Sequence, residues 1–228
     1  VTTPDMATHL DLEEQEQLEQ IKHFWNKWGT PITAVAVVVM AGFAGWNGWQ
    51  YWQQRQALQA SAVADVVVAA VASGDQARAL QAFDTVKADY KGTLQADHAA
   101  LVLAQSEVDA NKLAEAKSAL QWVVDNSKDE GYQATAKLRL AAVLMQEKDL
   151  DAAAALLRTS FPAEFKGLAA DRLGDVLQLQ GKPQEATAAY QEAWKLLAPQ
   201  VDYRALVGFK LNALGQATSD SVISTETK

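Results

Sequence analysis

The sequence predicts an all-α chain: one membrane-crossing helix near the N-terminus, then a solenoid of helical hairpins closed by a final helix. Three observations carry this. No charged residue occurs between Lys27 and Arg55, a run of 27 residues. After Tyr51 the chain is rich in Ala, Leu, Gln, Glu and Lys with apolar residues at helical spacing. A pattern of small and large apolar residues also recurs every 33 to 37 positions.

The first helix is expected from Asp11, a candidate N-cap with Glu14 three residues on in a capping-box arrangement. Leu18, Ile21, Trp25 and Trp28 then form one apolar stripe opposite a Glu/Gln face, suited to the headgroup region or to a docking partner. Gly29 is expected to end this helix, with Thr30 as N-cap and Pro31 in the first position of a second one.

That second helix contains ITAVAVVVMAGFAG, Ile32 to Gly45, and from Ile32 to Trp49 it would be about 27 Å long, close to the ~30 Å hydrocarbon thickness. Trp28 at one end and Trp46, Trp49, Tyr51 and Trp52 at the other read as interface anchors in contact with the bilayer. An aromatic ligand box is the alternative for the tryptophans, although a membrane edge already gives them a sufficient cause, and two other readings compete for the helix. A buried soluble helix would rarely lack charge for so long, and a signal peptide cleaved after Ala62-Val63-Ala64 would place its site far beyond the apolar run. Lys22 and Lys27 before the span against Arg55 after it predict the N-terminus inside. Ala41, Gly42, Ala44, Gly45 and Gly48 leave one side of the span nearly without side chains, a candidate packing face for another membrane helix; the alternative is that Ala and Gly are simply common in such helices.

The repeat is clearest in LGDVLQLQGKPQEATAAYQEAWKLLAP, where Leu173 and Gly174 are followed by Leu177, Gly181, Ala186, Tyr190, Ala193 and Pro199. This spacing resembles a tetratricopeptide repeat, a helical hairpin whose small residues allow close crossing. Leu140-Ala141, Leu144, Ala153 and Leu157 repeat it, as do Leu103-Ala104, Ala116 and Leu120; Gly74, Ala79 and Phe83 mark a weaker first unit. Four hairpins then span roughly residues 55 to 200, and DYRALVGFKLNALG supplies the capping helix. The predicted divisions are 1–30 (tail with amphipathic helix), 31–52 (membrane helix), 53–215 (repeat domain) and 216–228 (a Ser/Thr-rich disordered tail).

Composition narrows the function. A net charge of -8 with no basic stripe argues against nucleic acid. The absence of cysteine excludes disulfides, thiolate nucleophiles and Cys-based zinc sites. His9, His23 and His98 lie far apart, and neither HExxH nor a phosphate-loop or nucleophile-elbow motif is present, so no enzyme and no cofactor is expected. Asp171 and Asp175, one turn apart, read as a solvated helix face. The repeat register places His98, Leu101, Gln105 and Val108, then Leu138, Ala142 and Met145, then Asp171, Asp175 and Gln178 on the concave surface. Leu101, Val108, Leu138 and Met145 would make that groove partly apolar and suited to extended polypeptides; in the competing reading some of these residues pack under a neighbouring hairpin.

LDLEEQEQLEQIKHFW, a single span ending AGFAGWNGWQYWQ, and degenerate tetratricopeptide-like repeats together resemble the ancillary SecYEG translocon subunit (YfgM-like) family of Gram-negative bacteria. Val1 to Asp5 precede Met6, the natural start in that family, and so read as an upstream extension. The resemblance implies a single-pass inner-membrane protein with a cytoplasmic N-terminus and a periplasmic repeat domain. It further implies association with SecYEG and with a membrane-anchored parvulin-like foldase, and help in handing exported polypeptides to periplasmic chaperones. A structural envelope-assembly scaffold with one folded partner, or a regulator acting through its cytosolic tail, are the alternatives.

Overall fold

The computed structural model describes the backbone of residues 12–216 and the side chains of residues 17–216, so the expected cap Asp11 and the tail beyond Gln216 lie outside the described residues. Among these there are nine helices and no strand. The chain divides into two compact units between Arg55 and Gln56.

The first unit is the N-terminal part of α1 (Leu12–Ala72), which carries Pro31 inside it. The expected break at Gly29-Thr30-Pro31 is therefore absent. The Pro31 ring removes one backbone donor, whereas ending the helix would strand up to four C=O groups before the break and up to four N–H groups after it. Thr30, the expected N-cap, lies inside the continuous helix, and the Thr33 hydroxyl donates back to the carbonyls of Gly29 (2.8 Å) and Thr30 (3.0 Å). Trp25 lies along the Gly29 surface, its indole 3.4 Å from where a Cβ would stand.

An 18-residue window of α1 has mean hydropathy 1.6 with 6% of it buried, which is unlike the core helix of a soluble fold. Leu18, Ile21, Trp25 and Trp28 are all exposed, as are Trp46, Trp49 and Trp52. The Trp49 and Trp52 rings lie 5.5 Å apart, and the Arg55 guanidinium sits 4.9 Å over Tyr51. Nothing lies within 4 Å of a Cβ placed on Gly42, Gly45 or Gly48, so that side of the helix is open.

The second unit begins with the end of α1. Ala64, Val67 and Ala70 enter one apolar core with Ala79, Phe83 and Val86 of α2 (Gln76–Asp89). A cut after Ala64 would therefore divide this core, which counts against the signal-peptide reading. α3 (Leu94–Asp109) with α4 (Leu113–Asn126), α5 (Glu130–Gln146) with α6 (Leu150–Leu157), and α7 (Ala163–Leu179) with α8 (Pro183–Leu196) make the next hairpins; α9 (Tyr203–Ala213) follows. Four hairpins and a closing helix match the expectation.

Five turns share one geometry. Gly74, Asn111, Lys148, Gly181 and Gly215 have φ of 75, 58, 64, 73 and 75°. In each turn the next residue's N–H reaches back five residues, as from Asp75 to the Ala70 carbonyl (2.9 Å) and from Lys182 to Leu177 (2.9 Å). Seven residues before the turn of each hairpin stands a small or β-branched residue, Val67, Ala104, Ala141 or Gly174, and Gly208 holds the same register in the closing helix. At Gly174 the approach is so close that an added Cβ would lie 2.4 Å from Tyr190 Cε1. Asp75, Thr93, Asp129 and Asp149 cap α2, α3, α5 and α6 through their side chains.

Candidate functional site

The concave positions of α3 and α5 do come together, but the surface they make differs from the expected apolar groove. Leu101 is buried, and Val108, Leu138 and Met145 are half-buried and packed against the core. Neighbouring first helices cover much of these four, while Leu101 still borders the larger and Val108 the smaller of the openings described next. His98 and Gln105 are exposed, Ala142 is half-buried, and Gln178 is exposed on α7 away from the clefts below.

Two openings remain on this face. One, of about 470 Å³, lies along α3 from His98 to Asp109, with Val71 and Arg139 facing it. The other, about 120 Å³, lies between α3 and α5 and has Leu120 of α4 as its floor. Gln105 and Arg139 border both. Arg139 reaches from α5 to α3, where its Nη1 donates to the Leu101 carbonyl at 3.2 Å. Gln105 Nε2 donates to Asp109 Oδ1 at 2.9 Å. Sequence register alone missed Arg139, because it stands one residue beyond the concave position Leu138; its side chain is long enough to swing across.

Asp171 and Asp175 are not groove residues, and Asp171 is not solvated. Asp171 is fully buried, and Lys210 of α9 donates to both its oxygens (2.8 and 2.9 Å) and to Asp175 Oδ1 (2.7 Å). Tyr203 donates to Asp171 at 2.5 Å and Tyr190 to Asp175 at 2.8 Å. Burial, then the carboxylate that each faces, push both phenols well above their ordinary range, so both remain donors. This cluster fastens α9 over the last hairpin and closes the concave face at that end.

A second buried carboxylate ties α3 to the turn before α5. Asp97 is buried; Ser127 Oγ donates to its Oδ2 at 2.6 Å, and Oδ1 has no hydrogen-bond partner. Burial pushes its pKa above 3.8, opposed by the Ser127 bond and aided by Asp129. The folded chain thus holds this proton more tightly than the unfolded chain. The stability so contributed is complete below about pH 3.8 and is lost as pH rises through the raised folded value. Asp97→Asn is accordingly expected to raise Tm at pH 7, with a gain that shrinks towards pH 3.8 in a thermal melt series; a gain independent of pH would contradict this.

Comparison with known proteins identifies the family. The family model described as "tetratricopeptide repeat-like domain" matches residues 22–216. An ancillary SecYEG translocon subunit of Neisseria gonorrhoeae is 34% identical over 152 residues, covering 67% of this chain and 73% of that protein. The chain belongs to the ancillary SecYEG translocon subunit family. The Escherichia coli K12 protein of the same name is 37% identical over 97 residues, 42% of this chain and 47% of its own length. A crystal structure of MamA aligns with TM-score 0.49 and 20% identity over 66% of this chain and 85% of that one. As a member of this family the chain carries an all-helical repeat domain and one N-terminal helix long and apolar enough to cross a membrane.

Proposed function

We propose that this chain is a non-enzymatic, membrane-tethered helical-repeat adaptor at the SecYEG translocon. It sits in the inner membrane by one crossing, with its N-terminus cytoplasmic and its repeats periplasmic, and helps pass exported polypeptides to periplasmic chaperones. A membrane-anchored parvulin-like foldase is its expected neighbour. The observation that carries this reading is the 34% identity to a translocon subunit across 73% of that protein. The exposed apolar window of α1 and the polar-rimmed clefts on α3 and α5 support it.

Tethering makes the mechanism economical. A binder held beside the channel exit meets an emerging chain at high effective concentration, so a weak cleft suffices and release stays fast. The narrow openings favour a short extended segment over a folded partner. The open side of α1 at Gly42, Gly45 and Gly48 serves as the channel-facing or foldase-facing surface, where close helix approach gains van der Waals contact in lipid. Gly45→Leu is expected to reduce co-purification of channel subunits or foldase from solubilised membranes while leaving insertion intact. Equal recovery of both partners would count against that surface.

A further inference from the structure

The small cavity between α3 and α5 has its origin in the repeat register. Nine residues after each turn stands the side chain that fills its hairpin: Phe83, Leu120, Leu157 and Tyr190. In the first and last hairpins this residue is aromatic. Phe83 is buried edge-on against Trp122, with ring centroids 5.5 Å apart, and Tyr190 covers Gly174. In the second hairpin Leu120 stands there, and the residues facing it across the opening are Ala104, Val108 and Ala142. In the third, where Leu157 is also small, the places of Val108 and Ala142 are taken by the larger Met145 and Asp175. The second hairpin is thus the one in which floor and walls are small together, and about 120 Å³ is left open.

That volume corresponds to about four water-sized groups at ~30 Å³ each, the size of one leucine or isoleucine side chain. A tryptophan or a lipid acyl chain would not fit. The walls are aliphatic, and the rim is Gln105, Arg139 and Gln146, all exposed and none acidic. Arg139 uses one N–H on the Leu101 carbonyl, which leaves the rest of its donor fork facing outward. Amide and guanidinium groups around an aliphatic hole match a peptide backbone flanking one apolar side chain.

We propose that this cavity receives a single aliphatic side chain of an extended polypeptide, whose backbone is held at the mouth by Gln105, Arg139 and Gln146. The assignment rests on the adaptor reading above and gives it a selectivity rule. Segments are chosen for a leucine-sized residue and not for charge, because burying that side chain supplies the gain while the rim bonds are common to every peptide.

The test uses the full chain in lipid nanodiscs and a fluorescein-labelled peptide of Gly and Ser with one central Leu, read by anisotropy. Burial of one such side chain predicts binding at least ~10-fold tighter than for the same peptide with Asp, Gly or Trp in place of Leu. Leu120→Phe fills the cavity from beneath and leaves every rim group in place; it is expected to abolish the Leu preference with helicity retained. Ala142→Leu fills it from the side, so a folding defect in either variant leaves the other to decide. A Leu preference that survives in a folded filled variant, or none in the unaltered chain, overturns the assignment. Co-purification with channel subunits is scored on the same unaltered membranes: its presence without a Leu preference removes the cavity alone, whereas its absence removes the adaptor reading.

Discussion

Replacing Lys210 by methionine is expected to cost about 3–5 kcal/mol, because it leaves the fully buried Asp171 without its counter-charge. Lys210 makes three bonds of 2.7–2.9 Å to Asp171 and Asp175, and no other cation is bonded to either carboxylate among the described residues. The apolar footprint of α9 is small, with Val207, Gly208 and Leu211 buried. The loss should therefore appear first as detachment of α9: amide hydrogens from Tyr203 to Ala213 exchange quickly while α3 to α6 keep their protection. The pair of changes Asp171→Leu and Lys210→Met together is expected to be milder than Lys210→Met alone, since no buried charge is then stranded. A single variant that melts as the unaltered chain does would mean that the ion cluster does not hold the cap.

The second large effect is at the crossing of α7 and α8. Gly174→Ala is expected to lower stability by ~1–3 kcal/mol despite the better helix propensity of alanine, because the new methyl would sit 2.4 to 2.8 Å from the Tyr190 ring. Tyr190 cannot simply turn aside, since it is buried and its hydroxyl is bonded to Asp175. Alanine is accepted at the matching positions 104 and 141, where Leu120 and Leu157 stand opposite instead of an aromatic ring. Gly174→Ala combined with Tyr190→Leu copies that pairing and is expected to lose less than the sum of its parts in denaturant melts. Strict additivity would contradict a shared contact.

Much of the repeat domain was legible because its signals are local. Gly174, Gly181, Ala186, Tyr190 and Ala193 fix one hairpin by spacing, and the remaining hairpins follow by register even where the motif has decayed. The turn at Lys148 shows how far it has decayed: a left-handed residue with φ 64° carries a side chain there, so glycine counting alone would miss it. The helix end expected at Gly29-Thr30-Pro31 failed for a different reason. A local Gly-Thr-Pro stop signal does not outweigh the cost of opening backbone hydrogen bonds on both sides of a break.

The candidate site was legible only as a set of positions. Register said that Asp171 and Asp175 lie on the concave side, but a helix face does not show what covers it; Lys210 is 39 and 35 residues away. Register puts Leu101, Leu138 and Met145 on the concave side but leaves open whether they line a groove or pack under the next hairpin, because the spacing between adjacent first helices is not written in any one of them. The cavity under Ala142 was open to inspection, since Leu120 stands where Phe83 and Tyr190 are aromatic. It becomes meaningful only once the volumes of neighbouring hairpins are compared.

The central claim is that the repeat face meets exported polypeptide beside the channel, and photocrosslinking with an arrested exported chain tests it most directly. With a photoreactive residue at Gln105 in the full membrane-inserted chain, an adduct with the arrested polypeptide is predicted; at exposed Gln191 on α8 it should be far weaker. Equal labelling from both positions, or none from Gln105, would contradict the account.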